Sequence, residues 1–155
     1  MLILISLILL SIPNFASSAC PNGTHAVPST LGTSYKCAGV SQITYDFMYG
    51  EYECASQNGH LISIANKDVN TFIAGILKQT DLSLTGGVWV GVSNMLDSVW
   101  KNVDDGSNAT FFNWAPDALQ GGTYPLCVYI NNDGVWYSNY CYVGYYYLCG
   151  LPESG

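Results

Sequence analysis

The chain has 155 residues, a length that fits one domain. Four Lys plus Arg stand against eleven Asp plus Glu, a formal net charge of −7. That balance argues against nucleic acid and anionic membrane surfaces as partners, since both require a basic face. Charged residues make up 10 % of the chain, well below the roughly 25 % of average domains, so Asn, Ser, Thr, Gly and Tyr must supply the surface polarity.

Residues 1–19 read as an export signal. "LILISLILLSI" is apolar apart from its serines, and "FASSA" then supplies small residues at a cleavage point. The run falls short of the roughly 18 apolar residues that a membrane span takes, and no second such run follows. The mature chain is therefore expected to begin at or near Cys20, to be secreted, and not to insert into a membrane.

All six cysteines, Cys20, Cys37, Cys54, Cys127, Cys141 and Cys149, follow the signal. An even number in an oxidising compartment implies disulfides, with many connectivities open. A zinc site lacks support, because there is no Cys-x-x-Cys and neither His25 nor His60 lies close to a cysteine pair. Asn22-Gly23-Thr24 and Asn108-Ala109-Thr110 match the N-glycosylation acceptor pattern.

In chain order, "CPNGTHAVPSTLGTSYKC" carries turn signals at Asn22-Gly23 and Pro28, and its flanking cysteines could staple a hairpin. A helix is expected over about residues 44–58, with Phe47, Tyr52, Cys54 and Ala55 inward and Gly59 ending it. Gly50 weakens it by about 1 kcal/mol relative to alanine. Leu61, Ile62 and Ile64 read as a short buried strand. Asn66 can then cap a second helix, with Asp68 in its first turn. Val69, Phe72, Ile73, Ile76 and Leu77 recur at helical spacing and form its core face.

From there the pattern turns to β. "VWVGV", starting at Val88, is a buried strand, and "LDSVWKNVDDGSNATFFNW" reads as a loop anchored by Trp100, Phe112 and Trp114. "CVYINNDGVWYSNYC" reads as a hairpin turning near Asp133-Gly134, with cysteines placed to cross-link it. "YVGYYYLC" is the last strand, to which Tyr142 and Tyr145 to Tyr147 are assigned, alternate ones inward. Early helices followed by strands define an α+β class. The domain is placed at residues 20–150, with a short tail at 151–155.

In this order, "YKC", "ECA", "GHLISIAN", an amphipathic helix, "VWVGV", "VDDGS", "FNWAP", Cys127, Trp136, Cys141 and Cys149 resemble the C-type lectin-like domain over Cys20 to Gly150. The resemblance implies a fold of two helices flanking antiparallel sheets with a long loop region. It implies the pairings Cys54–Cys149 and Cys127–Cys141, with Cys20–Cys37 as the additional bridge of longer members. It places Trp89, Trp100, Trp114 and Trp136 in the interior.

In sugar-binding members, a calcium ion in the long loop grips neighbouring sugar hydroxyls together with its protein ligands. Calcium takes about 6–8 oxygens, several of them from carboxylates. The family supplies them as Glu-Pro-Asn or Gln-Pro-Asp after the Asn-Trp step, an acid before the cysteine, and Trp-Asn-Asp on the hairpin. Here those positions fall on Ala118, Leu119 and Gln120, on Pro125, and on Trp136, Tyr137 and Ser138. The carboxylates are absent, and Asp117 is the one acid between Trp114 and Cys127. Calcium is therefore disfavoured, and no cofactor is expected. Asp97, Asp104 and Asp105 read as turn or solvated loop acids rather than a second calcium site.

Gln120, Tyr124, Tyr137, Ser138 and Tyr140 remain as candidate ligand-binding residues. Tyrosine rings can stack on the apolar C–H faces of sugars, and they suit a protein interface equally. The expectation is a secreted recognition domain of carbohydrate-binding lineage, contacting glycan weakly or without calcium. The alternative is a protein-binding or assembly module with an extracellular partner. No catalytic motif is assembled, so an enzyme is not expected. The resemblance also implies a role in defence against microbes.

Overall fold

The computed structural model describes residues 20–153 apart from 84 and 123. The expected export signal lies outside the described residues. In chain order the elements are β1 (His25–Ala26), β2 (Cys37–Val40), α1 (Phe47–Ala55), β3 (His60–Leu61), α2 (Lys67–Leu77), β4 (Val88–Ser93), β5 (Lys101–Asn102), β6 (Leu126–Ile130), β7 (Trp136–Tyr140) and β8 (Tyr146–Leu151). The strands line up as β1-β2-β8-β4-β6-β7, with β3 added to β8 and β5 to β4. β4 and β8 run parallel, and the other ladders are antiparallel. The α+β class and the lectin-type arrangement both stand.

α1 starts later than its residue pattern suggests, because Tyr45 is held extended by paired backbone bonds to Tyr145 at 2.9 and 3.0 Å. Asp46 then caps the helix, accepting from the Tyr49 N–H at 2.9 Å. Its inward face is Phe47, Gly50 and Cys54, spaced at i, i+3 and i+7. Tyr52 and Ala55 point outward instead, and Tyr52 is 62 % exposed. The Cys54–Cys149 bridge fixes the helix rotation, and two residues from Cys54 lie on the far side of a 3.6-residue turn. Gly50 lets the helix pack tightly on β8, since a Cβ there would sit 3.2 Å from Tyr147 Cβ.

α2 forms as its periodicity demands. Asn66 accepts from the Val69 N–H at 3.0 Å, while Val69, Ile73, Ile76 and Leu77 are buried and Phe72 half-buried. Asn70, on the same face, is also buried. Its amide donates to the Gly134 carbonyl at 3.0 Å, and its oxygen accepts from Trp136 Nε1 at 2.7 Å. The pair locks the β6–β7 turn onto the helix and satisfies a buried indole.

The core sits between α2 and the central strands, around Ile62, Val90, Val128, Leu148 and Trp136. β4 crosses beneath β3 so closely that a Cβ on Gly91 would lie 2.1 Å from the Leu61 carbonyl oxygen, so glycine alone fits. Trp89 and Trp136 are fully buried, whereas Trp100 and Trp114 are half-buried against the core. All three implied disulfides are present, with Cα–Cα distances of 5.5, 5.3 and 5.1 Å for Cys20–Cys37, Cys54–Cys149 and Cys127–Cys141. Cys54–Cys149 spans 95 residues, and a loop of that size stabilises by about 4–5 kcal/mol in the chain-entropy account.

The final strand includes Leu151, which is buried and pairs with Cys37, so the ordered sheet reaches one position past Gly150. Tyr142 does not belong to that strand. It lies in the turn after Cys141, while Tyr145 and Tyr147 are buried and Tyr146 is half-buried. The turn's own bond, Val143 N–H to the Tyr140 carbonyl at 3.0 Å, keeps the chain from entering β8 earlier.

Candidate functional site

The long loop between β5 and β6 is fastened by aromatic side chains and backbone. Trp114 packs on Trp100, Phe112 and Trp136, with ring centroids 5.1 to 5.7 Å apart. The Ala115 N–H donates to the Trp136 carbonyl at 2.9 Å, and the Trp136 N–H to the Asn113 carbonyl at 2.8 Å. Trp100 Nε1 donates to the Gln120 carbonyl at 2.9 Å.

These bonds occupy the surface where a calcium ion would be held. The Gln120 carbonyl is taken by Trp100, and the Ser138 hydroxyl donates to the Leu119 carbonyl. Tyr137 stacks on Tyr129 at 5.4 Å, and Tyr129 stacks on Tyr145 at 4.4 Å. Burial pushes the Tyr129 phenol above its ordinary range, and its hydrogen bond with Tyr145 adds to the shift. Trp136 is spent on Asn70. An exposed carboxamide and one engaged hydroxyl do not fit an ion that requires many oxygens and several charges.

The three acids around the start of the loop are used in different ways. Asp105 accepts from the Ser107 N–H at 2.8 Å, and the Ser107 hydroxyl first, then this N–H, hold its carboxyl below the usual range. Asp97 accepts from the Val99 N–H and pairs with Lys101 at 3.2 Å. Asp104 is not a solvated loop acid. It is half-buried and accepts from the Tyr35 and Ser63 hydroxyls, each at 2.6 Å. Burial first, and then Asp104, push the Tyr35 phenol far up.

The candidate residues separate into two groups. Gln120, Ser138 and Leu119 form a hydrogen-bonded edge, and Tyr137 faces the Tyr129 stack. Tyr124 and Tyr140 meet elsewhere, edge to face, at 6.1 Å and 81°. Tyr142, which the sequence reading placed in a strand, joins them by lying parallel to Tyr140 at 5.5 Å and 5°. Tyr124, Tyr140 and Tyr142 are 65 %, 41 % and 77 % exposed. With Asp46, Met48 and Pro125 they line a cavity of about 700 Å³. Met48 and Asp46 carried no signal in the sequence beyond standing at the start of a helix. The Phe47 N–H bond to the Cys141 carbonyl, at 2.9 Å, brings that helix end to the hairpin.

A disulfide-stapled α+β shell with two helices, a long aromatic-latched loop and a cross-linked β6–β7 hairpin defines the lectin type of recognition domain. The model of the lectin C-type domain matches residues 44–151, and the chain belongs to that family. It is 29 % identical over 137 residues to an alpha-N-acetylgalactosamine-specific lectin of Patiria pectinifera, an alignment covering 79 % of this chain and 76 % of that protein. It is 28 % identical over 128 residues to asialoglycoprotein receptor 2 of Rattus norvegicus, covering 77 % of this chain but 40 % of the receptor. Among solved structures, the carbohydrate-recognition domain of the mouse scavenger receptor C-type lectin superposes with a TM-score of 0.69 at 21 % identity, covering 88 % of this chain and 98 % of that one. A calcium-independent type II antifreeze protein does so with a TM-score of 0.71 at 20 % identity, covering 88 % and 96 %. Among the described residues, no helix is long and apolar enough to cross a membrane.

Proposed function

We infer that this chain is a secreted recognition domain that binds glycan through its own side chains, without a calcium bridge, and is not an enzyme. The carrying observation is the exposed Tyr124–Tyr140 pair at the end of a loop whose metal-ligand positions hold Leu119, Gln120, Pro125, Tyr137 and Ser138. The lectin relatives support the carbohydrate lineage. Residues 1–19 would direct export. Asn22 and Asn108 are exposed and available for glycosylation.

A second reading rests on the outer face of α1. Met48, Tyr49 and Tyr52 are exposed there side by side, and an unpaired apolar helix face suits a protein partner. A glycan array probed in millimolar calcium and again in chelator separates the readings when set beside a pull-down from extracellular fluid. The glycan reading expects the same bound glycans in both buffers. Monosaccharide binding that vanishes in chelator would overturn the calcium-free reading, while protein capture lost on Tyr52→Ala with no glycan bound would establish the second one.

A further inference from the structure

Resting on that glycan reading, we propose that the sugar site is the corner between the start of α1 and the end of the β6–β7 hairpin, formed by Tyr124, Tyr140, Tyr142, Met48, Pro125 and Asp46, and that it takes the terminal pyranose of an uncharged glycan. The place shares only Pro125 with the positions at which sugar-binding members carry their calcium ligands. Neither Gln120, Tyr137 nor Ser138 lines it.

The shape is that of a platform and a wall. Tyr140 and Tyr142 are parallel within 5°, and Tyr124 stands across them at 81°. A pyranose presents apolar C–H patches on its faces and hydroxyls around its rim. Ring faces can cover the former, and three phenol hydroxyls can exchange hydrogen bonds with the latter. The cavity, about 700 Å³, falls in the usual span of small-ligand sites, about 300–1,000 Å³.

The corner is held in place before any ligand arrives. Tyr140 and Tyr142 flank Cys141, and Tyr124 with Pro125 leads into Cys127, so one disulfide anchors both walls. The Phe47–Cys141 backbone bond sets Asp46 and Met48 against them. Three tyrosines left this exposed would be a solubility liability for a domain with no use for them. A backbone already anchored in this way leaves less freedom to lose on binding.

Charge disfavours anionic ligands. Among the described residues that line the cavity there is no Lys, Arg or His, and the one carboxylate is Asp46. Asp46 spends one oxygen on the helix cap and leaves the other to accept from a sugar hydroxyl. The chain's net charge of −7 adds to the repulsion of acidic sugars. Sialylated or sulfated ends would find no counter-charge here.

The test is calorimetric titration of the secreted full chain in chelator with lactose, diacetylchitobiose and methyl α-mannoside. Sialyllactose and deacetylated chitobiose serve as the anionic and cationic counterparts. At least one neutral glycan should bind. Its affinity should fall about tenfold or more in Tyr142→Ala and in Tyr124→Ala, with Tyr142→Phe recovering most of the loss by keeping the ring face. Unchanged affinity in both alanine variants would overturn this site while leaving calcium-free glycan binding intact. Tighter binding of sialyllactose than lactose, or of the deacetylated sugar than its neutral parent, would overturn the uncharged class. No neutral glycan bound at all would overturn both readings. A concentration-dependent dimer in sedimentation that Tyr142→Ala abolishes, with no glycan effect, would assign the corner to a second copy of the chain and overturn the proposal.

Discussion

At the scale of single residues, Asp104 and Asn70 show polar side chains holding the shell together. Asp104 joins Tyr35, 69 positions away in sequence, to Ser63 on the chain just after β3. Removing the phenol hydroxyl in Tyr35→Phe deletes a bond to a carboxylate and is expected to cost about 1.5–3 kcal/mol in urea unfolding. The same variant tests a pH dependence. The folded-state Tyr35 phenol is raised above its ordinary value, so its contribution is complete below the unfolded phenol range, near pH 10. It is lost as pH rises beyond that, at up to about 1.4 kcal/mol per unit. Unfolding free energies measured on both sides of pH 10 should show a shallower alkaline decline in Tyr35→Phe. Tyr129, also raised by burial, keeps some decline in place. An unchanged slope would mean that the Tyr35 phenol ionises normally in the fold.

At the scale of elements, the legible and the illegible divide along locality. The second helix, the Val88 strand and the β6–β7 hairpin were readable because each writes its own period and its own cap or turn within a short window. α1 was readable as a helix but not in its facing. Tyr52 looks like a core residue until the bridge from Cys54 sets the rotation. A smaller part of the candidate site was legible in the same sense. Tyr124 and Tyr140 were singled out by their closeness to the loop. Tyr142, Met48 and Asp46 were not, because the register of β8 and a backbone bond to α1 bring them in. The hairpin element carries its own prediction. Replacing both cysteines (Cys127→Ser with Cys141→Ser) should cost about 3 kcal/mol, the chain-entropy value for a loop of about 15 residues. It should also weaken glycan binding in protein that is still folded. Stability lost with affinity unchanged would show that the bridge does not organise the tyrosine corner.

At the scale of the whole molecule, the chain keeps the architecture of its family and exchanges the chemistry of its loop. The three bridges, the buried Trp89 and Trp136 and the latched loop are what make the shell. The metal-ligand positions are the part that changed, to residues whose polar atoms are already engaged or too few. An acidic surface with four Lys plus Arg fits uncharged extracellular ligands better than polyanions. On the proposed calcium-free reading, folding and recognition are both independent of calcium, and a thermal melt of the purified domain across a calcium titration tests this most directly. The account predicts the same midpoint from chelator to millimolar calcium. A saturable rise, equivalent to about 2.7 kcal/mol at a hundredfold excess over the dissociation constant, would contradict it.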